Sequence, residues 1–394
     1  MAPGAENQTH LMERLARNGP RKLLALDGGG IRGVLSLEIL ADMERLLIKQ
    51  SGDPNYRLAD YFDYVSGTST GGIIAAGIAM GMSVADMMDF YVKNGAAMFD
   101  KTGLFSNLTS FFQSKFNSSP LAKQLKGVFG EDTTLGSARI KSLLLLVMRN
   151  ATTDSPWPVS NNPFAKYNDK AHPANNLDFP LWQLVRASTA APTYFSPEVI
   201  TVGGKPFIFV DGGVTMYNNP AFQMFLMATV SQYWPKAPAE LPRWKTGPDD
   251  MLIMSVGTGT SAGQNFSLRP EEMTILFNAK TIPSALMYAA LNEQDFLCRV
   301  FGDCVEGPPL DREVGAMMPS QGPLNAKLFR YARYNAELTP EGLQALGCGK
   351  IDPAKVQQLD SVDAIDDLRT IGKAVAAQRV KAEHFNFGVF KPKP

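Results

Sequence analysis

Twice near the N-terminus an apolar run passes through a glycine-rich turn into a helical pattern. Residues 22–26 (Lys22, Leu23, Leu24, Ala25, Leu26) read as a short buried strand that runs straight into Asp27-Gly28-Gly29-Gly30-Ile31-Arg32-Gly33. Over 34–49, Leu35, Ile39, Met43, Leu46 and Leu47 then recur at helical spacing. The design repeats: 61–65 read as a strand, 66–71 as a tight turn and 72–80 as a helix of small residues. Two consecutive strand, turn and helix units predict an α/β fold with a mostly parallel central sheet under covering helices.

The later pattern fits the same plan. Residues 84–98 predict an amphipathic helix, 143–148 a buried strand, and 150–176 a long polar loop. Residues 100–135, rich in Ser, Phe, Asn and Gly, support no assignment. A helix is expected over 181–190, ending near Pro192, and a short strand over 207–210 that delivers Asp211-Gly212-Gly213. Asn219-Pro220 opens a further helix through 230, with Asn at the cap and Pro at the first position, and 251–256 reads as another buried strand. Beyond 261 the pattern is mostly helical, clearest over 282–300, with a polar loop over 302–323. The expected organisation is a loose arm over 1–20 with one short helix, an α/β core over 21–260, and a mostly helical part over 261–394 packed on that core, a place for regulation.

Composition removes several function classes. Lys plus Arg and Asp plus Glu are 38 each, so no net field draws the chain to a nucleic acid polymer. The first twenty residues carry Glu6, Glu13, Arg14 and Arg17, and no apolar stretch approaches the roughly 20 residues that span a bilayer, so a cytoplasmic protein is expected. Cys298, Cys304 and Cys348 lack metal-site spacing and read as plain thiols; no metal and no cofactor are expected. The chain has three histidines, His10, His172 and His384, which restricts any mechanism that needs imidazole.

The chemistry concentrates in three glycine-flanked segments. Gly67-Thr68-Ser69-Thr70-Gly71 places a serine between a predicted strand and a predicted helix. An exposed nucleophile on such an elbow needs glycines on both sides, here Gly67 and Gly71, so that backbones can cross, and the helix N-terminus favours developing negative charge. Gly28, Gly29 and Gly30 supply successive N–H groups at a strand end, a cradle for an anion, with Arg32 adding positive charge or acting structurally. Gly28, Gly30 and Gly33 also fit a dinucleotide-binding fingerprint, so a Rossmann-type protein is a rival reading. Against it, Asp27 would sit beside a pyrophosphate, and Asp42 and Glu44 fall inside a predicted helix. Asp211 follows an apolar strand and, if the strands run parallel, emerges at the same sheet edge as Ser69, where it suits a general base. A conventional triad would have to recruit His384, the one histidine after Asp211, which otherwise reads as a partly buried turn residue.

Asp-Gly-Gly-Gly-Ile-Arg-Gly, Gly-Thr-Ser-Thr-Gly and Asp-Gly-Gly in this order resemble the patatin-like phospholipases, as does Ala187-Ser188-Thr189-Ala190-Ala191-Pro192-Thr193-Tyr194-Phe195; the resemblance covers roughly residues 20–260. It implies a three-layer α/β/α fold related to the cytosolic phospholipase A2 catalytic domain. It also implies a dyad of Ser69 as nucleophile and Asp211 as base, an oxyanion hole around Gly28, Gly29, Gly30 and Arg32, and hydrolysis of membrane phospholipid esters through an acyl-enzyme.

The expected setting is peripheral contact with the inner membrane. The apolar segments 77–82, Met87-Met88 and 105–116 read either as an acyl channel or membrane contact or, for the methionines, as core. Some bacterial members of the family act in antiphage defence under a cyclic dinucleotide activator, and the sequence is compatible with that role and with a homo-oligomer. Lys327-Leu328-Phe329-Arg330-Tyr331-Ala332-Arg333-Tyr334 reads as a strand with a solvated basic face, or as a phosphate- and base-binding stretch.

Overall fold

Leu23 and Ala25 project to one side of the first strand and Leu24 and Leu26 to the other, and each pair ends in a different apolar cluster. That alternation, repeated along the chain, makes the sheet the middle of three layers. The computed structural model describes residues 5–99, 120–169, 171–172, 174–192, 195–241, 243–260, 269–324 and 326–387.

The chain opens with α1 (Ala5–Ala16) and β1 (Arg21–Leu26), then α2 (Gly33–Ser51), the short α3 (Leu58–Tyr61), β2 (Tyr64–Thr68), α4 (Thr70–Ala79) and α5 (Val84–Phe99). After α6 (Pro120–Phe129) come β3 (Leu143–Asn150), β4 (Ser155–Ser160), α7 (Leu181–Ser188), β5 (Glu198–Val202), β6 (Lys205–Asp211), α8 (Ala221–Thr229) and β7 (Met251–Val256). The long α9 (Ile275–Phe301) leads into β8 (Asp303–Glu306), β9 (Arg330–Tyr334), α10 (Pro340–Ala345), α11 (Pro353–Val356) and α12 (Ile365–Arg379). Among the described residues nine strands form one sheet in the order β5-β6-β3-β2-β1-β7-β9-β8, with β4 attached to β3. β1, β2, β3, β7, β8 and β9 pair in parallel, whereas β4, β5 and β6 pair antiparallel.

One face of the sheet packs against α2, α4, α5, α6, α7 and α12 through Val34, Leu37, Ile73, Ile78, Met87, Leu125, Leu184, Leu368 and their neighbours. The other packs against α1, α8 and the end of α9 through Leu11, Leu15, Met224, Phe225 and Cys298. Met87 and Met88 lie inside the first cluster, as the core reading of those methionines expects, while 105–116 lies outside the described residues.

Three local expectations are corrected. The N-terminal arm is not loose: Arg14 donates to Phe62 O at 2.6 Å, Arg17 pairs with Asp63 at 2.6 Å, and Leu15 is fully buried. The segment after 260, expected to be mostly helical, also supplies β8 and β9, so it completes the sheet. β9 lies between β7 and β8, and its Arg333 is buried instead of facing solvent; Arg330 keeps a partly exposed pair with Asp249.

The strand that carries Asp211 also differs from the parallel arrangement, and the register explains why the carboxylate still reaches the same place. β4 occupies one edge of β3 over Leu145–Asn150. The other edge is shared: β2 pairs there from Tyr64↔Leu143 to Thr68↔Val147, and β6 takes over at Met148↔Asp211 and runs antiparallel. β2 and β6 therefore meet head to head, so the residue after one C-terminal end faces the last residue of the other.

Candidate active site

Ser69 is the single residue between β2 and α4, and it adopts φ 55° and ψ −124°. A positive φ at a residue with a Cβ stores on the order of 1–3 kcal/mol, which the surroundings must hold. They do so by close approach. A Cβ on Gly67 would lie 2.0 Å from Gly71 O, and one on Gly71 would lie 2.3 Å from Leu26 O, so strand, turn and helix pack at distances that only glycine permits. The Ser69 N–H donates to Ser188 Oγ at 2.9 Å, and that hydroxyl donates to Val147 O at 2.6 Å, tying the elbow to α7 and β3.

The Ser69 hydroxyl donates to Asp211 Oδ2 at 2.6 Å. Asp211 Oδ1 accepts the Gly213 N–H at 2.7 Å, and the Asp211 N–H donates to Ala190 O at 2.9 Å, so the carboxylate is held at both ends. Burial pushes the Asp211 carboxyl up to about 6, against the opposing effect of its two hydrogen bonds and the Arg186 guanidinium. An ordinary aspartate is too weak a base to serve a serine; desolvation moves this one toward neutrality while leaving it ionised at pH 7. Arg186 is itself buried and donates to Ser196 O at 2.9 Å.

The glycine loop lies against Ser69, since a Cβ on Gly28 would come 3.2 Å from Ser69 Cβ. The Gly28 N–H is already used, donating to Asn218 O at 3.1 Å, and the Ile31 N–H donates to Leu359 O at 2.9 Å. The amides of Gly29 and Gly30 find no acceptor among the described residues. Arg32 bonds main-chain carbonyls, Gly29 O at 3.4 Å through Nε and Gln357 O at 3.5 Å through Nη1, and so fastens the loop to the 357–359 segment. Burial pulls its guanidinium down to about 10, against the attraction of Asp27.

Asp27 forms a two-pronged pair with Arg333, at 2.9 and 2.5 Å, and Arg333 also donates to Ser255 Oγ at 2.7 Å. The pair neutralises Asp27 at the opening of the glycine loop. His384 is not brought to the serine: its Nδ1 is hydrogen-bonded to the Tyr334 hydroxyl at 2.6 Å, and burial lowers its pKa. His172 accepts the Ala174 N–H in an exposed turn. No cluster of His, Cys, Asp and Glu able to hold a metal occurs among the described residues. Ser188 and Asn218 escaped the sequence as site neighbours, although Ser188 lies in the Ala187 to Phe195 stretch; Arg333, read there as part of a basic strand, was not expected beside Asp27.

Both motif serine and motif aspartate fall within residues 24–225, the span matched by the family model described as patatin-like phospholipase. The chain belongs to the patatin-like phospholipase family. Among its relatives in that family are the cGAMP-activated phospholipase of Vibrio cholerae, 29% identical over 262 residues, with 64% of this chain and 67% of that protein aligned. A cGAMP-activated phospholipase of Escherichia coli is 29% identical over 252 residues, covering 63% of this chain and 64% of that protein. Patatin-T5 of Solanum tuberosum is 30% identical over 267 residues, covering 64% and 63%. The chain thus spans about two thirds of the length of these patatin-like relatives. Among solved structures, human GIVD cytosolic phospholipase A2 aligns at a TM-score of 0.46 and 15% identity, over 94% of this chain and 62% of that one.

Proposed function

We propose that this chain is a lipid acyl hydrolase that cleaves the acyl esters of glycerophospholipids. The observation that carries the reading is the direct 2.6 Å bond from the Ser69 hydroxyl to Asp211 at a strained elbow. As Ser69 Oγ attacks the ester carbonyl carbon, its proton passes to Asp211 Oδ2. The carbonyl oxygen becomes an oxyanion beside the Gly29 and Gly30 amides, donors of a kind whose loss typically costs roughly 3 kcal/mol of transition-state stabilisation. Collapse breaks the bond to the alcohol oxygen, which takes the proton from Asp211 and departs as a lysolipid. Water, giving its proton to the same carboxylate, then releases the fatty acid and restores Ser69.

Membership of the patatin-like phospholipase family supports this reading, and so does the chemistry named for two of its relatives. A finer reading rests on those two names: hydrolysis under control of a cyclic dinucleotide; with it goes peripheral contact with the membrane that holds the substrate. No helix among the described residues is long and apolar enough to cross a membrane, in keeping with peripheral contact.

The test is fatty-acid release from mixed phospholipid vesicles by wild type, Ser69→Ala and Asp211→Asn, with and without a panel of cyclic dinucleotides. The reading expects release by wild type alone, and the finer reading expects it to rise with one nucleotide. Equal release by Ser69→Ala would overturn the mechanism; nucleotide-independent release would overturn the finer reading alone.

A further inference from the structure

The loop after β7 reaches over the glycine loop and places Thr258, which is 1% exposed, against it. The Thr258 hydroxyl donates to Gly28 O at 2.9 Å. A Cβ on Gly29 would lie 2.1 Å from that same Oγ1, so this approach exists because position 29 has no side chain. Gly28 faces Ser69 and Gly29 faces Thr258; the two residues stand on different sides of one short stretch of backbone.

The consequence lies in the peptide unit itself. The carbonyl of Gly28 and the N–H of Gly29 belong to one rigid plane, and in a trans peptide they point in opposite directions. The one cis bond among the described residues is Met318-Pro319, so the 28–29 unit is trans. A hydroxyl that holds Gly28 O toward Thr258 therefore turns the Gly29 N–H away from Thr258. The preceding peptide is fixed as well, since the Gly28 N–H is bonded to Asn218 O at 3.1 Å. The following one is fixed by the Arg32 N–H on Gly29 O at 3.2 Å. With its neighbours pinned, the one orienting bond on the 28–29 plane comes from Thr258, and the Gly29 amide it directs has no acceptor among the described residues.

We propose that Thr258 is a positioning residue that aims the Gly29 N–H at the oxyanion formed on Ser69, acting through the Gly28 carbonyl without touching substrate. The proposal rests on the acyl-hydrolase reading of the site. Its chemistry is specific: a hydroxyl at position 258 is needed, and a methyl of the same size is not a substitute. In Thr258→Val the peptide plane loses its anchor and Gly28 O loses a buried donor. In Thr258→Ser the anchor is kept.

The experiment compares wild type, Thr258→Val and Thr258→Ser on a short-chain p-nitrophenyl ester, and measures inhibition by a trifluoromethyl ketone, whose tetrahedral adduct carries an oxyanion on the nucleophile. Thermal melting and circular dichroism establish that each variant is folded. The expected result is a fall in kcat of about 10- to 100-fold for Thr258→Val, with KM changed less than about threefold, part of the roughly 10²- to 10³-fold that an oxyanion donor supplies. Inhibition by the ketone weakens in step with kcat/KM, and Thr258→Ser stays within about threefold of wild type. A folded Thr258→Val with wild-type kcat overturns the proposal, as does a Thr258→Ser as impaired as Thr258→Val. A wild type inert, with and without the cyclic dinucleotide panel, to the ester and to a fluorophosphonate that labels serine nucleophiles sinks the hydrolase reading and this proposal with it, whereas an active wild type confines the failure to Thr258.

Discussion

The Ser69 hydroxyl donates directly to Asp211 Oδ2 at 2.6 Å, and the two residues meet because β2 and β6 abut along one edge of β3. Thr68 pairs with Val147 and Asp211 with Met148, so two strands running in opposite senses bring Ser69 and Asp211 together at adjacent rungs. His384 lies elsewhere, bonded to the Tyr334 hydroxyl.

This geometry predicts the pH dependence. Below about 6 the Asp211 carboxyl is protonated and cannot accept the serine proton. On a soluble ester, kcat/KM should therefore fall about tenfold per pH unit below that value and level off above it. A profile governed by an ordinary aspartate, flat down to pH 4, would contradict the assignment.

The same burial predicts a conflict between activity and stability. The folded pKa of Asp211 lies above the unfolded value of 3.8, at about 6, so between them the unfolded chain binds fewer protons than the folded one. The group's favourable contribution is complete below pH 3.8 and is lost as pH rises through 6. Charged Asp211 thus costs the fold on the order of 3 kcal/mol at pH 7. Asp211→Asn should raise the melting temperature at pH 7, do so much less at pH 4, and abolish turnover. A melting temperature that falls equally at both pH values would show that the carboxylate stabilises the fold.

His384→Ala should leave esterase activity within about threefold of wild type. It removes the partner of the Tyr334 hydroxyl, which is buried, so the cost falls on stability, about 1–3 kcal/mol by denaturant melting. Loss of activity without loss of stability would instead bring the imidazole into the mechanism.

Asp27→Ala should be among the most damaging substitutions away from Ser69. It leaves Arg333, which is 0% exposed, with only the more distant Asp295 carboxylate at 3.8 Å, and breaking a buried pair from one side typically costs about 3–5 kcal/mol. Denaturant unfolding measures it; a loss below about 1 kcal/mol would mean that the pair contributes little to tying the end of β1 across β7 to β9.

What the sequence made legible is what local pattern encodes. The two strand, turn and helix units, the elbow at Ser69 and the helices over 84–99 and 181–188 follow from periodicity and from glycine spacing, which are properties of neighbouring residues. The direction of β6 was not legible. Its short apolar run looks the same in either sense, and what fixes it is the free edge left on β3 beyond Val147, a fact about a distant strand. Arg333 was misread for a similar reason: alternation suggested a wet face, but its partner Asp27 is 306 positions away. The docked arm is a third case, because the apolar positions Leu11 and Leu15 acquire meaning when the second face of the sheet needs cover. Thr258 carried no signal at all, since its part depends on the orientation of a peptide plane.

The most direct test of the central claim is to treat the protein with a fluorophosphonate and locate the adduct by mass spectrometry in wild type, Ser69→Ala and Asp211→Asn. The dyad predicts one adduct on Ser69, none in Ser69→Ala, and labelling slowed at least about 100-fold in Asp211→Asn, in line with general-base catalysis. An adduct on another residue, or labelling of Asp211→Asn at the wild-type rate, would contradict it.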